Sequence, residues 1–98
     1  MPSYFIVNIQ ISDANEREKY DEYIAKVKPI VENYGGEYIV RSERITALSD
    51  SWSPDRIIII KFASKDKIFK WLSAPEYKKI SSLRIDSVDS KAIIVDEN

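Results

Sequence analysis

Apolar residues are not evenly spaced along the chain, and the first stretch has a period of two. Between Tyr4 and Ile11 alternate residues are apolar, which is the pattern of a β-strand with one buried face. That face would carry Phe5, Val7, Ile9 and Ile11, and the opposite face Tyr4, Ile6, Asn8 and Gln10. The opposite face is half polar, so the two sides of this strand are predicted to meet different surroundings.

After this strand the spacing lengthens to that of a helix. Asp13 and Glu16 resemble a capping box in which Asp replaces the usual Ser or Thr, so a helix is predicted to start at Asp13. Gly35 is predicted to end it, because the residue after a helix favours a positive φ angle. The apolar stripe of this helix would consist of Tyr20, Tyr23, Ile24, Val27, Ile30, Val31 and Tyr34.

A second strand is predicted over residues 37–42. Alternation would place Tyr38 and Val40 on one face, and Ile39 and Arg41 on the other. Residues 44–48 either extend this strand or form a short hairpin arm. Residues 49–55 have the composition of a turn, rich in Ser and Asp side chains that bond locally to the backbone.

The second half of the chain repeats the order of strand, helix and strand. Residues 57–62 contain four consecutive isoleucines, which predicts a central strand buried on both faces. Ser64 would cap a helix that Pro75 interrupts and restarts, and residues 91–95 would form the last strand. The order β-α-β-β-α-β predicts one α+β domain over residues 1–98: a ferredoxin-like, four-stranded antiparallel sheet with the helices on one face.

Helices on one face leave the other face of such a sheet bare. That face would carry Ile6 and two of the four isoleucines at 57–60, an apolar patch that soluble monomers rarely expose. We therefore expect a homodimer that pairs through its sheet faces, since twofold pairs are the commonest assembly. The alternative is a monomer in which residues 43–56 fold across the patch.

Composition removes several classes of function. The 98 residues include no His and no Cys, so His-based triads, thiol nucleophiles, structural zinc and the usual haem ligands are excluded. The net charge of −1 offers no basic surplus for nucleic acid or for an anionic membrane surface. With no signal-peptide pattern and no cysteine, we expect a cytoplasmic protein that needs no cofactor and contacts neither nucleic acid nor membrane.

An ordered set of short motifs resembles the dimeric α/β-barrel superfamily, and within it the domain-of-unknown-function family 1330. The motifs are Tyr4–Ile6, Tyr20 with Tyr23, Gly35–Arg41, Trp52–Arg56, Phe62, Trp71, Pro75–Tyr77 and Arg84. Relatives commonly have His where this chain has Tyr34, and Ser where it has Ala74. The resemblance implies the dimeric barrel fold, in a superfamily that includes haem-dependent enzymes and cofactor-free monooxygenases. Mechanisms that need a His ligand or base are not open to this chain.

Two arginines are candidates for binding an anionic group. Arg41 alternates with apolar residues in its strand, and its forked guanidinium suits a carboxylate or a phosphate. The alternative is a solvated edge-strand residue. Arg84 lies seven residues after Tyr77, next to the inward stripe. It either leans between helix and sheet or extends along the border of the stripe to reach water.

The remaining candidates are aromatic or amide side chains. Tyr20, Tyr23 and Tyr34 share one helix face and could line a cleft, although core packing is the commoner role. Trp52 in a polar turn could close a pocket, cover a dimer seam or cap a strand end. Asn8 could line a wet cavity or bond across a dimer.

Two functions follow from these observations. The first is a cofactor-free site for a small anionic molecule, binding or enzymatic, in the cleft between helices and sheet of a homodimer. The second is a non-catalytic dimer that binds a metabolite or another protein. RNA binding through the sheet is disfavoured, because the isoleucine strand does not carry the basic, glycine-containing aromatic motif that such sheets present, and the net charge is negative.

Overall fold

The computed structural model describes all 98 residues, and its order of elements follows the alternating periods of the sequence. The strands are β1 (Ser3–Gln10), β2 (Glu37–Ser42), β3 (Arg56–Phe62) and β4 (Asp89–Asp96). The helices are α1 (Arg17–Asn33), α2 (Lys65–Ser73) and α3 (Pro75–Ile85), and a single 3-10 turn (Ala14–Glu16) precedes α1. No helix is long and apolar enough to cross a bilayer.

The four strands form one antiparallel sheet in the order β2-β3-β1-β4. The two central strands, β1 and β3, pair with Phe5 opposite Ile60 and Val7 opposite Ile58. The connection from β1 to β2 contains α1, and the connection from β3 to β4 contains α2 and α3. All three helices pack on one face of the sheet. The predicted ferredoxin-like α+β fold is confirmed.

The helix-covered face holds the hydrophobic core. Burial alternates strictly along β1 and β3, and the residues that face the helices are the buried ones. Trp71 of α2 lies at the centre of this core and is 1% exposed. Its ring contacts Phe5 edge-on at 5.1 Å, stacks on Phe62 at 5.8 Å, and lies 4.8 Å from Tyr77 between ring centroids. Aromatic pairs at these separations add stabilisation beyond their buried area.

An apolar row crosses the whole of the opposite face, which no helix covers. Strand register places Val40 opposite Ile59, Ile59 opposite Ile6, and Ile6 opposite Ile93. Val40 and Ile93, on the edge strands, are exposed within a single chain, and Ile6 and Ile59 are half-buried. The isoleucine strand is predicted to be buried on both faces, but within one chain Ile57 and Ile59 remain half-buried because no helix covers this side of the sheet. We call this surface the open sheet face.

A β-bulge corrects the predicted arrangement of β2. The register shifts between Tyr38 and Val40, so Tyr38 pairs with Ile60 on the helix-covered face while Val40 pairs with Ile59 on the open sheet face. The prediction that Tyr38 and Val40 share a face is therefore wrong. A bulge inserts one extra residue and reverses the alternation that follows it.

Some predicted boundaries also change. Asp13 accepts a hydrogen bond from the Asn15 amide at 2.9 Å and caps the 3-10 turn, so α1 begins only at Arg17. Residues 44–48 neither extend β2 nor form a paired arm, and the isolated bridge Ser49–Trp52 is the one strand-like contact in the connection 43–55. The predicted restart at Pro75 is confirmed, with Pro75 in the first turn of α3.

Replacing Gly36 by Ala is expected to lower the free energy of unfolding by about 1–3 kcal/mol, the usual cost of overpacking a core. An added Cβ would lie 2.8 Å from Phe62 Cζ and in contact with Val31 Cγ1. Gly35→Ala is the matched comparison, because a Cβ there has room, 3.9 Å from Lys67 Cδ, and only the φ of 87° opposes it. Urea denaturation of both variants measures the effects, and a Gly36→Ala protein as stable as the wild type contradicts the close packing.

Candidate functional site

A small cavity lies between the helices and the covered face of the sheet. Its volume is about 20 Å³, and nine of its ten lining residues are hydrophobic, so its chemistry depends on the tenth, Arg84. The sheet contributes side chains such as Val7 and Ile58, and the helices contribute Tyr23 and Trp71. A volume of this size holds about one water molecule. We call it the Arg84 cavity.

Arg84 extends from the end of α3 into the space between helix and sheet, as one of its two predicted positions required. Its Nη1 donates to Ser90 Oγ at the start of β4, and its Nη2 lies 3.4 Å from the Tyr77 hydroxyl. The guanidinium carbon also lies 5.9 Å from the centre of the Tyr23 ring. No carboxylate pairs with it, because the ion pairs of the chain all involve other cations. Arg84 is thus a largely enclosed cation with only neutral partners.

The Tyr23 and Tyr77 hydroxyls form a buried pair 3.0 Å apart. Burial raises the pKa of Tyr23, and the neighbouring Tyr77 adds to the effect, so Tyr23 stays protonated at neutral pH. Burial alone lowers the pKa of Arg84, but Tyr77 and Tyr23 outweigh it and the pKa is raised. The site therefore keeps a cation beside the protonated Tyr23 hydroxyl.

The unsatisfied polar atoms at this cavity are all donors. Arg84 Nε and Trp71 Nε1 are buried and have no hydrogen-bond partner, and both residues line the cavity. An unpaired buried donor costs about 1–3 kcal/mol, so such groups usually have a partner in the working molecule. A ligand that fits them must present acceptors, which a carboxylate, an enolate or a carbonyl oxygen does.

Arg41 does not enter the cavity, although it is close to its rim. Its guanidinium lies on the exposed side of Tyr38, with 5.1 Å between the guanidinium carbon and the ring centre. Tyr38 itself lines the cavity, and burial raises its pKa to about 12 although Arg41 opposes the change. The structure thus separates the two candidate arginines into one inside the cavity and one in solvent.

Another arginine, Arg56, is buried at the start of β3 and was not among the predicted site residues. It is 7% exposed and lies 5.9 Å above the ring of Tyr20, which is fully buried. Its Nη1 is 3.4 Å from a carboxylate oxygen of Glu43, and Glu43 also binds Arg17. Tyr20 stacks on Tyr23 at 6.1 Å, so this cluster adjoins the Arg84 cavity.

The three remaining candidates lie elsewhere. Tyr34 donates to Glu76 at 3.0 Å on the outer surface, where this hydrogen bond raises its pKa. Trp52 is half exposed and lies beside the open sheet face, in a groove shared with Asn8 and Lys91. Asn8 belongs to that face, and its Oδ1 is buried without a partner. Of the predicted residues, the structure brings together Tyr20, Tyr23 and Arg84, and leaves Arg41, Tyr34, Trp52 and Asn8 outside.

One signal in the sequence could have identified Arg56, whereas none identifies Tyr38. Arg56 continues the alternation of Ile58, Ile60 and Phe62 on the buried face, which is an unusual place for a charge. Tyr38 is placed in the cavity by the bulge, which has no clear mark in the sequence. No group of three carboxylates comes together where a metal ion could bind.

With its order of strands and its single layer of helices, the structure belongs to the class of ferredoxin-like α+β proteins. A family model matches residues 2–98, so the chain belongs to the family described as domain of unknown function (DUF1330). The resemblance inferred from the motifs is thereby confirmed. No curated protein matches the chain.

Solved structures with the same fold are distant in sequence. A protein of unknown function from Rhodopseudomonas palustris is 18% identical, with a TM-score of 0.81, and the match covers 99% of this chain and 82% of that one. A dimeric ferredoxin-like protein of unknown function from Jannaschia sp. CCS1 is 10% identical, with a TM-score of 0.83 and coverage of 99% and 100%. SnoaB, a cofactor-independent oxygenase from Streptomyces nogalater, is 10% identical, with a TM-score of 0.72 and coverage of 99% and 93%.

Proposed function

We propose that this protein binds a small anionic organic molecule in the Arg84 cavity, without a cofactor, as a homodimer paired through its open sheet faces. One observation supports the ligand above all others: Arg84 is enclosed among apolar and aromatic side chains, and no carboxylate neutralises it. A charge that is partly withdrawn from water and has no counter-charge is costly, so an anionic ligand would supply the negative charge that the fold does not provide.

The shape of the cavity sets how the ligand enters. At about 20 Å³ the closed cavity admits one water molecule or the head of an acid, not a whole metabolite. Tyr38 is the wall that can yield, since it belongs to the edge strand β2, which pairs on one side only. The carboxylate or enolate group of the ligand would bind Arg84 Nε and Trp71 Nε1. The apolar remainder of the ligand would occupy the space that the Tyr38 ring now fills.

Support for the homodimer comes from the row of Val40, Ile59, Ile6 and Ile93 across all four strands. Each isoleucine removed from water contributes about 1.5–3 kcal/mol, and a second copy would cover the row in both chains at once. The related Jannaschia structure is of a dimeric protein. The pairing would leave the Arg84 cavity, on the other side of the sheet, accessible in each copy.

The same site supports either binding alone or catalysis. The Tyr23 hydroxyl, hydrogen-bonded to Tyr77 and held neutral by burial, could donate a proton to a developing oxyanion. SnoaB, which has the same fold, is a cofactor-independent oxygenase. A non-catalytic dimer is favoured by a different observation: no carboxylate lines the cavity, so nothing there has the usual chemistry of a general base.

Replacing Arg84 by Met is expected to weaken acetate binding about tenfold to a hundredfold, the loss that follows from a charge-assisted hydrogen bond of about 1.5–3 kcal/mol. The readout is the indole N–H signal of Trp71 in nitrogen–proton NMR spectra, because this donor lines the cavity. Titration with acetate, then with propionate and butyrate, gives the affinity and its dependence on tail length.

Arg41→Met is the matched control, since Arg41 carries the same charge on the solvent side of Tyr38. It should leave the Trp71 titration unchanged. Equal affinity in wild type and Arg84→Met, or the absence of any saturable Trp71 shift with all three acids, would overturn the proposed ligand site.

A further inference from the structure

The Arg56 guanidinium is enclosed by the fold but poorly neutralised. Its side chain is 9% exposed, and its residue faces the helices in line with Ile58 and Ile60. The Nε atom is buried with no partner, and the one ion pair, to Glu43 through Nη1, is long at 3.4 Å. A buried arginine of this kind normally has a two-point partner in good geometry.

Glu43 is shared, and its better contacts are with another residue. Its two oxygens accept hydrogen bonds from Arg17 at 2.7 and 2.9 Å, the paired geometry that a guanidinium prefers. Arg17 has a second acidic partner, Asp21, at 3.0 Å. Arg17 therefore keeps an acid if Glu43 leaves, whereas Arg56 has no other acid within ion-pair distance.

Tyr20 supplies a further unused group at the same place. The residue is fully buried, its hydroxyl has no hydrogen-bond partner, and its ring lies 5.9 Å below the Arg56 guanidinium. The cluster thus contains the unpaired Nε–H of Arg56 and the unpaired hydroxyl of Tyr20, beside one carboxylate, that of Glu43, which Arg17 shares. This pattern of unused donors is independent of the Arg84 cavity, to which neither Arg56 nor Glu43 contributes.

We propose that Arg56, Tyr20 and Arg17 form a second anion-binding site, which Glu43 occupies as an internal stand-in and from which a small free carboxylate displaces it. The Glu43 carboxylate shows the size and charge of the group that the site accepts. The ligand class is a monocarboxylate, whose two oxygens take over the contacts with Arg17 and Arg56 and whose position also reaches the Tyr20 hydroxyl.

Displacement of Glu43 would release one end of the connection 43–55. The other end is anchored on β1: Asp55 binds the amide of Ile11 through its carboxylate at 2.6 Å and donates its own amide to the Ile9 carbonyl at 2.9 Å. Trp52 lies in this connection and is half exposed. Its indole N–H signal would therefore report on the release, separately from Trp71, which reports on the Arg84 cavity.

The test is an acetate titration of wild type and Glu43→Gln, followed through both indole signals at constant ionic strength with chloride as the balancing anion. A tethered group competes at an effective concentration of the order of mM, so removal of its charge should strengthen acetate binding at the Trp52-reported site about tenfold or more. Acetate should also raise the melting temperature of Glu43→Gln more than that of the wild type, since it restores the missing negative charge. Glu22→Gln is the control, because Glu22 pairs only with Lys26 on the surface of α1.

Arg56→Gln should abolish the Trp52 response to acetate and keep the Trp71 response. If this variant does not fold, Glu43→Gln decides the matter alone: an acetate affinity at the Trp52-reported site equal to or weaker than in the wild type overturns the proposal, as does an equal response to chloride. Loss of the Trp71 response alone would count against the Arg84 cavity and leave this second site standing.

Discussion

Replacing Trp71 by Ala is expected to lower the free energy of unfolding by about 3–5 kcal/mol, the usual cost of removing a buried aromatic side chain from a core. Trp71 is almost completely enclosed, and it contacts Phe5, Phe62 and Tyr77 at once. Through these contacts Trp71, on α2, joins side chains of β1, β3 and α3. Its removal would open a cavity that these elements could close only by moving toward one another.

Urea or thermal denaturation followed by circular dichroism measures this loss. Phe69→Ala is the matched control, because Phe69 lies on the same helix but is half exposed and should cost less than about 1 kcal/mol. A loss at Trp71 no larger than the loss at Phe69 would show that the core is centred elsewhere. Since many small domains have a total stability of only about 5–15 kcal/mol, Trp71→Ala is expected to leave a marginal protein.

Replacing Ile6 by Lys is expected to convert the proposed homodimer into a monomer at micromolar concentration. Ile6 lies on a central strand between Ile59 and Ile93, in the middle of the open sheet face. In a twofold pair through this face the substitution would bury a lysine ammonium of each chain among apolar side chains such as Ile59 and Ile93. Burial of an unpaired ammonium costs several kcal/mol, enough to raise the dissociation constant a thousandfold or more.

Light scattering combined with size-exclusion chromatography measures the mass. The folded chain should survive, because the Ile6 side chain points away from the core. Phe69→Lys is the control for an added charge, since it makes a similar change on the helical side and should leave the mass of two chains. A wild-type protein with the mass of one chain, or an Ile6→Lys protein with the mass of two, contradicts pairing through this face.

Much of the candidate site could not be predicted from the sequence. Arg41 and Arg84 were equal candidates, because each lies beside apolar residues in the sequence. Which of the two arginines lines the cavity depends on where each side chain ends in the fold. Arg84 lies seven residues, about two helical turns, after Tyr77 and so shares its inward face, whereas Arg41 is on an edge strand with solvent beside it. The alternative of a solvated edge residue therefore describes Arg41 and not Arg84.

The spacing of apolar residues by itself determined the type and order of the elements. Periods of two and of three to four residues arise from the geometry of single strands and helices, so they are visible without knowledge of what packs against them. The absence of His and Cys likewise decided which chemistry is closed to this protein. The apolar second face of the central strands was also apparent, and it led to the expectation of a partner.

The tertiary structure alone decided which polar groups lack partners. Whether Arg84, Trp71 and Arg56 are satisfied depends on contacts between residues far apart in the chain, which no local period records. The bulge that makes Tyr38 a wall of the cavity is set by the pairing of β2 with β3. The stacked rings of Tyr20 and Tyr23 link the two arginine sites only because the fold places Arg56 over Tyr20 and Arg84 over Tyr23. Local geometry thus fixes the elements, whereas long-range packing fixes where charge is left uncompensated.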